Sequence, residues 1–187
     1  MLLTAALAVL SVGAGQLSLA LFTDQETVAG TFTTGSIDLD GTAIAGLTLT
    51  TSAMMPGDSV TDDVLISNVG TAQLRYSMST SSTNADAKGL RTVLTLTVKT
   101  IDVTTPGVPC DNFDGTTVLA ATVLGPTTAG FGSSASGAQA GDRNLAAAAS
   151  ETLCFRVSLP SGTGNAYQGA STTTTFTFDA EQTANNP

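Results

Sequence analysis

The sequence predicts an all-β protein: a two-sheet, jelly-roll-like β-sandwich preceded by an apolar N-terminal signal helix. Three observations predict it. Short runs in which apolar and polar residues alternate recur from residue 30 to the end. Turn signals at Pro56-Gly57, 68–70, Pro106-Gly107 and Gly125-Pro126 separate them. After residue 20, no ten-residue stretch keeps a helical period.

Residues 1–20, MLLTAALAVLSVGAGQLSLA, contain no charged residue. Their apolar run, 2–12, has the length of a signal-peptide core and is short for a membrane span, which needs roughly 20 apolar residues. Ser18 and Ala20 sit at −3 and −1 of a small-x-small site, so cleavage is expected between Ala20 and Leu21. The segment opens without the usual Lys or Arg. An uncleaved anchor and a buried helix are the alternatives, and the uncleaved leader is the chain's one expected link to a membrane. The expected division is therefore 1–20 as signal peptide, 21–30 as an N-terminal strand segment and 31–187 as the sandwich domain.

The strands follow in order. FTTGSIDL offers Phe32, Ile37 and Leu39 around Gly35, and GLTLT offers Leu47 and Leu49. SVTDDVLISN puts Val60, Val64 and Ile66 on one face. QLRYSMS alternates Leu74, Tyr76 and Met78 with Arg75 and Ser77; VLTLTV alternates Leu94, Leu96 and Val98 with threonines. TTVLAATVL is a more apolar run. The stretch 127–141, rich in Gly, Ser and Ala, reads as a flexible loop. NLAAAASE, 144–151, allows one short turn of helix. ETLCFRVSL presents Leu153, Phe155, Val157 and Leu159 on one face, and STTTTFTFDA closes the chain with Phe176 and Phe178.

Composition excludes several functions. Charged residues are 11% of the chain and the net charge is −9. Nucleic acid, which needs clustered Lys and Arg, is therefore not an expected partner. Without a single His, an H-E-x-x-H zinc site and the Ser-His-Asp and Cys-His arrangements cannot be built. No acidic pair stands out by spacing. DLDG (38–41) and DNFDG (111–115) loosely match calcium loops but lack the downstream Glu, and Asp or Asn before Gly reads as a turn. LPSGT at 159–163 has the wrong spacing for a sortase motif. No metal, cofactor or catalytic residue is expected. The two cysteines differ in setting. Cys154 falls on the polar face of its strand beside Arg156, and Cys110 falls in a turn-rich segment. In an exported chain that pattern predicts a Cys110–Cys154 disulfide.

Three blocks resemble the TasA/camelysin family. FTDQETVAGTFTTGSIDL (22–39) is similar to the start of the mature family members: an aromatic after the cleavage site, an Asp, then a Phe-x-x-Gly-x-hydrophobic-Asp-Leu block, here Phe22, Asp24, Phe32, Gly35, Ile37, Asp38 and Leu39. MPGDSVTDDVLISNVGTAQLRYSM (55–78) resembles its Pro-Gly-Asp turn and the strand ending in Asn-x-Gly, and NAYQGASTTTTFTFDAEQ (165–182) resembles its closing Tyr-Gln-Gly strand. The resemblance implies a jelly roll, export with cleavage by a SipW-like signal peptidase, and assembly into extracellular biofilm-matrix fibres. In such fibres the freed N-terminal segment enters the next subunit as a donated strand. Part of the family is described as casein-cleaving zinc peptidases, from which a chain without His departs. In the donor segment, Leu21, Phe22 and Val28 supply apolar side chains, Thr23 and Thr27 suit a strand, and Asp24 matches the family pattern. The residues leave open whether this strand is donated or paired within its own chain. The expected function is a secreted structural subunit, not an enzyme, that polymerises with copies of itself in the matrix or at the cell surface. A monomeric surface adhesive or binding module and a secreted peptidase are the alternatives.

Overall fold

The computed structural model describes residues 23–33, 39–40, 54–101, 110–184 and 186. The leader 1–20, with Ala20, Leu21 and Phe22, lies outside them, as do the run 46–50, Asp38 and Gly41 of DLDG, and Pro106-Gly107. Among the described residues the chain is all-β and forms two antiparallel sheets, as the alternation predicts. No helix there is long and apolar enough to cross a membrane.

The first sheet contains β1 (Thr23–Thr33), β2 (Leu39–Asp40), β4 (Leu74–Ser82), β7 (Gly130–Phe131), β8 (Arg143–Leu145) and β10 (Ser171–Gln182). Its order is β2-β1-β10-β4-β7, with β8 also on β4. The second contains β3 (Ser59–Ser67), β5 (Thr95–Thr100), β6 (Thr117–Val123) and β9 (Ser150–Ser158), in the order β3-β9-β5-β6. The apolar faces read from the sequence meet between them. Phe155, Leu153 and Val157 from β9, Val64 from β3, and Leu96 and Val98 from β5 are fully enclosed, facing Met78 and Phe176 of the other sheet. Phe155 and Phe176 pack edge to face at 5.8 Å, bridging the sheets. Burying each such side chain contributes about 1.5–3 kcal/mol.

The threonines of β10 do not spoil this core. Thr172 and Thr174 are buried, but Thr172 Oγ1 donates to Thr83 O at 2.7 Å and the Thr174 hydroxyl bonds that of Ser82 at 2.8 Å. Both hydroxyls are thus satisfied where an unpaired one would cost about 1–3 kcal/mol.

Two stretches without a sequence period take definite form. The stretch 127–141, expected as a flexible loop, carries β7 and lends Ala129 and Phe131 to the core. Gly130 passes so close to β4 that a Cβ there would lie 2.4 Å from Met78 O. Asp142 then ties the segment back: its carboxylate accepts from the N–H groups of Ser133 and Gln139. This segment and the chain end cover the outer face of β4, which explains why Arg75 and Ser77 are buried despite alternating with core residues. The alanine run 144–151 forms no helical turn. It gives β8 and a tight turn with Ala148 at φ 55°, because β8 and β9 need a reversal there.

Candidate assembly site

β1 and β10 join the two ends of the chain in one seam. They pair antiparallel over all of β1, from Thr23 opposite Glu181 to Thr33 opposite Ser171. Of the expected donor residues, Thr23 is in register with Glu181, Asp24 with Ala180 and Val28 with Phe176 along the ladder. On its other side β1 meets only β2, at Ala29 and Gly30, among the described residues. Of the two readings left open by the sequence, a single chain thus adopts the self-paired one. β10 presents a row of backbone N–H and C=O groups on the side away from β4, and β1 satisfies them.

The far end of this seam is built by polar anchors. Arg75 and Glu181 form a buried ion pair at 2.5 Å, and the Glu181 carboxylate also accepts from Gly137 N–H at 3.0 Å. Arg75 additionally donates to the carbonyl of Asn186, pinning the chain end. Next to it the 67–74 turn crosses from β3 to β4. Asn68 organises that turn: its amide nitrogen lies within 2.9–3.1 Å of the carbonyls of Ala72, Leu145 and Ala146, and its Oδ1 accepts from Gly70 N–H at 3.0 Å. Between this turn and residues 180–182 lies a cavity of about 410 Å³.

The other sequence motifs also resolve into turns. At Pro56-Gly57, Gly57 takes φ 100°, the left-handed value a type II turn requires, and Asp58 closes the turn by accepting from Met55 N–H at 2.7 Å. In Tyr-Gln-Gly, the carbonyls of Gln168 and Gly169 accept from Lys88 Nζ. None of the three motifs presents a reactive group; each sets a chain reversal.

On the outer face of the second sheet, Cys110 and Cys154 form the expected disulfide, with Cα atoms 5.5 Å apart. Cys154 is nevertheless fully buried, because the bridge folds the 110–115 loop over it. That loop is the DNFDG segment weighed as a calcium site, and its centre is an aromatic clamp. Arg156 stacks 3.9 Å from the Phe113 ring centroid, and Lys99 Nζ lies 5.0 Å from it while donating to Phe113 O. Burial pushes the Arg156 pKa down, and its Nε donates to Thr61 Oγ1 at 2.7 Å. Sequence reasoning missed the clamp; Phe113 carried no period to mark it. A second network joins the sheets. Tyr76 Oη donates to Glu151 at 2.5 Å, Arg143 pairs with the same carboxylate, and burial with that hydrogen bond pushes the Tyr76 pKa far up.

Among the described residues no three metal-ligating side chains converge. With no His in the whole chain, a zinc centre with imidazole ligands does not fit these residues. Residues 1–99, just over half the chain, match a family described as camelysin metallo-endopeptidase. That match takes in β1 to β4 and all but the last residue of β5, and leaves out β6 to β10. No curated protein matches the sequence.

Proposed function

The chain belongs to the camelysin metallo-endopeptidase family, and from that premise we propose that it is an exported structural subunit rather than a peptidase. In this reading a SipW-like signal peptidase removes the leader between Ala20 and Leu21. The freed β1 then pairs with β10 of a neighbouring copy, and the head-to-tail contact propagates as a fibre outside the cell. The observation that carries the reading is the β1–β10 seam. β1 is held along its full length by β10 and, among the described residues, elsewhere only at two positions of β2. Such a strand can be exchanged between copies while every ladder hydrogen bond is reproduced, which is the condition for domain swapping. A one-way, head-to-tail donation does not close on itself and so builds filaments, whereas a reciprocal exchange would close as a dimer.

The test uses the chain starting at Leu21 and a version lacking 21–30. The first is expected to form fibres visible by electron microscopy. The second is expected to fold, stay monomeric and bind a synthetic peptide of residues 21–33. Normal fibres from the shortened chain would defeat the proposal. The pairing of β1 within its own chain favours a second reading, a monomeric surface module. A single elution volume across protein concentrations, with or without chelator, would establish that reading. Casein cleavage abolished by chelator would establish the peptidase instead.

A further inference from the structure

We propose that the 67–74 turn of one copy docks, through Val69, in an apolar pocket at the opposite pole of the next copy. The inference deepens the fibre reading and rests on its head-to-tail order, not on which copy supplies β1.

The topology places the two surfaces apart. The Pro56-Gly57 turn leads into β3 at Ser59, and the 67–74 turn leaves β3 at Ser67. The nine residues between them span about 30 Å of strand. β10 runs the same way. Tyr167 and Gly169 precede it and line the pocket together with Pro56, whereas Ala180 and Gln182 near its end lie beside the 67–74 turn. Turn and pocket thus occupy opposite poles of the sandwich, and no copy can dock with itself. A contact between two unlike surfaces leaves a free turn and a free pocket at the ends of any row of copies, so the row can add more.

Exposure, shape and charge all point to this pairing. Among the described residues the two most exposed large apolar side chains are Val69, at 95%, and Met55, at 64%. The first tips the turn and the second lines the pocket, so docking covers both. The pocket holds about 270 Å³, room for a valine side chain, and the buried Met54 and Leu159 and the half-buried Tyr167 give it an apolar lining. Both parts are preformed, which lowers the entropy lost on docking. Asn68 fixes the turn through three carbonyls and the Gly70 N–H. Across the pocket frame, Gly57 N–H donates to Leu159 O at 2.8 Å and Leu159 N–H to Asp58 O at 2.9 Å. Neither residues 68–73 nor the pocket lining contains a charged side chain. In a chain of net charge −9, these are surfaces that two copies can bring together without repulsion.

The two natural cysteines are bonded to each other, so introduced thiols are the reactive ones. In the chain starting at Leu21, a Val69→Cys copy mixed with a Met55→Cys copy is expected to give dimers with a short bis-maleimide, and neither variant alone is expected to do so. Val69→Asp is expected to raise the protein concentration needed for fibres by about tenfold or more, with circular dichroism unchanged. Adding Met55→Lys to Val69→Asp is expected to recover part of that loss, which a general effect of either charge would not. If fibres grow while no cross-link forms and Val69→Asp changes nothing, the docking fails and strand exchange stands. If cross-links and fibres withstand an excess of the 21–33 peptide, the docking stands and strand exchange fails. Dimers from either variant alone, equal in yield to the mixture, would mean that like pole meets like pole and would overturn the proposal, as would the absence of cross-links from every mixture.

Discussion

Removing the disulfide should have the largest effect of any change outside the central core. Cys110 and Cys154 are 44 residues apart, and the closed loop contains β6, β7, β8 and half of β9. In the chain-entropy model a loop of that size restricts the unfolded chain by about 4 kcal/mol. Total stabilities of domains this size are about 5–15 kcal/mol, so the loss is a large fraction of the whole. The perturbation is the double variant Cys110→Ala/Cys154→Ala, beside the reduced natural chain. Equilibrium urea unfolding reads it out. With a slope of about 2 kcal/mol per molar urea, the midpoint should fall by about 2 M. Adding Phe113→Ala to the disulfide-free chain should cost further, because the clamp of Arg156 and Lys99 is then what keeps the 110–115 loop on the sheet. A drop below about 1 kcal/mol on losing the bridge would refute the reasoning. It would mean that the unfolded chain already holds these positions together.

Gly130→Ala should cost about 1–3 kcal/mol, since its Cβ would meet the Met78 carbonyl at 2.4 Å and push β7 off β4; a thermal melt checks it. Arg75→Ala leaves the buried Glu181 carboxylate without its cation and should cost about 3 kcal/mol, with proteolysis appearing first at the chain end that Arg75 pins. Burial, and then the neighbouring Asp62, raise the Asp63 pKa. A raised carboxylate pKa penalises the folded state only where the group is ionised in the unfolded chain. Asp63→Asn should therefore stabilise the protein at neutral pH, and the gain should vanish as the pH falls below the ordinary Asp range; urea midpoints at pH 7 and pH 3 check the sign.

The sandwich was legible because its core obeys alternation. Val64, Leu96, Val98, Leu153, Phe155 and Phe176 all sit where period-2 reading puts them, and Phe155 meets Phe176 across the sheets. The disulfide was legible for a related reason: a cysteine on the polar face of a strand requires a cover, and only a loop cysteine could bring one. The 127–141 segment was not legible. Gly, Ser and Ala hold no period, and its order comes from Gly130 and Gly132 fitting against β4 at distances no side chain allows. The Phe113 clamp was hidden because it depends on which residues the bridge brings together. The motif Asn-x-Gly could be read as a turn, but not that Asn68 would brace it through the carbonyls of Ala72, Leu145 and Ala146.

Which copy supplies β1 is a question of connectivity rather than contacts, since the seam with β10 is the same ladder either way. Within one chain, covalent connection gives β1 an effective concentration at its own β10 that can reach about millimolar. A dilute neighbour cannot match that at equilibrium. Under the strand-exchange proposal, fibre growth therefore has to be kinetic: β1 must meet a neighbour before it closes at home. Newly cleaved chains should extend fibres, whereas monomer stored long enough to close should extend them only as fast as β1 detaches. Mild urea, which weakens the seam without unfolding the core, should accelerate growth from stored monomer. The measurement is fibre elongation by light scattering, seeded with preformed ends, from fresh and stored material. Equal rates from the two, unaffected by urea, would mean that β1 never closes on its own β10 in solution, and that the closed seam is not the resting state of the free subunit.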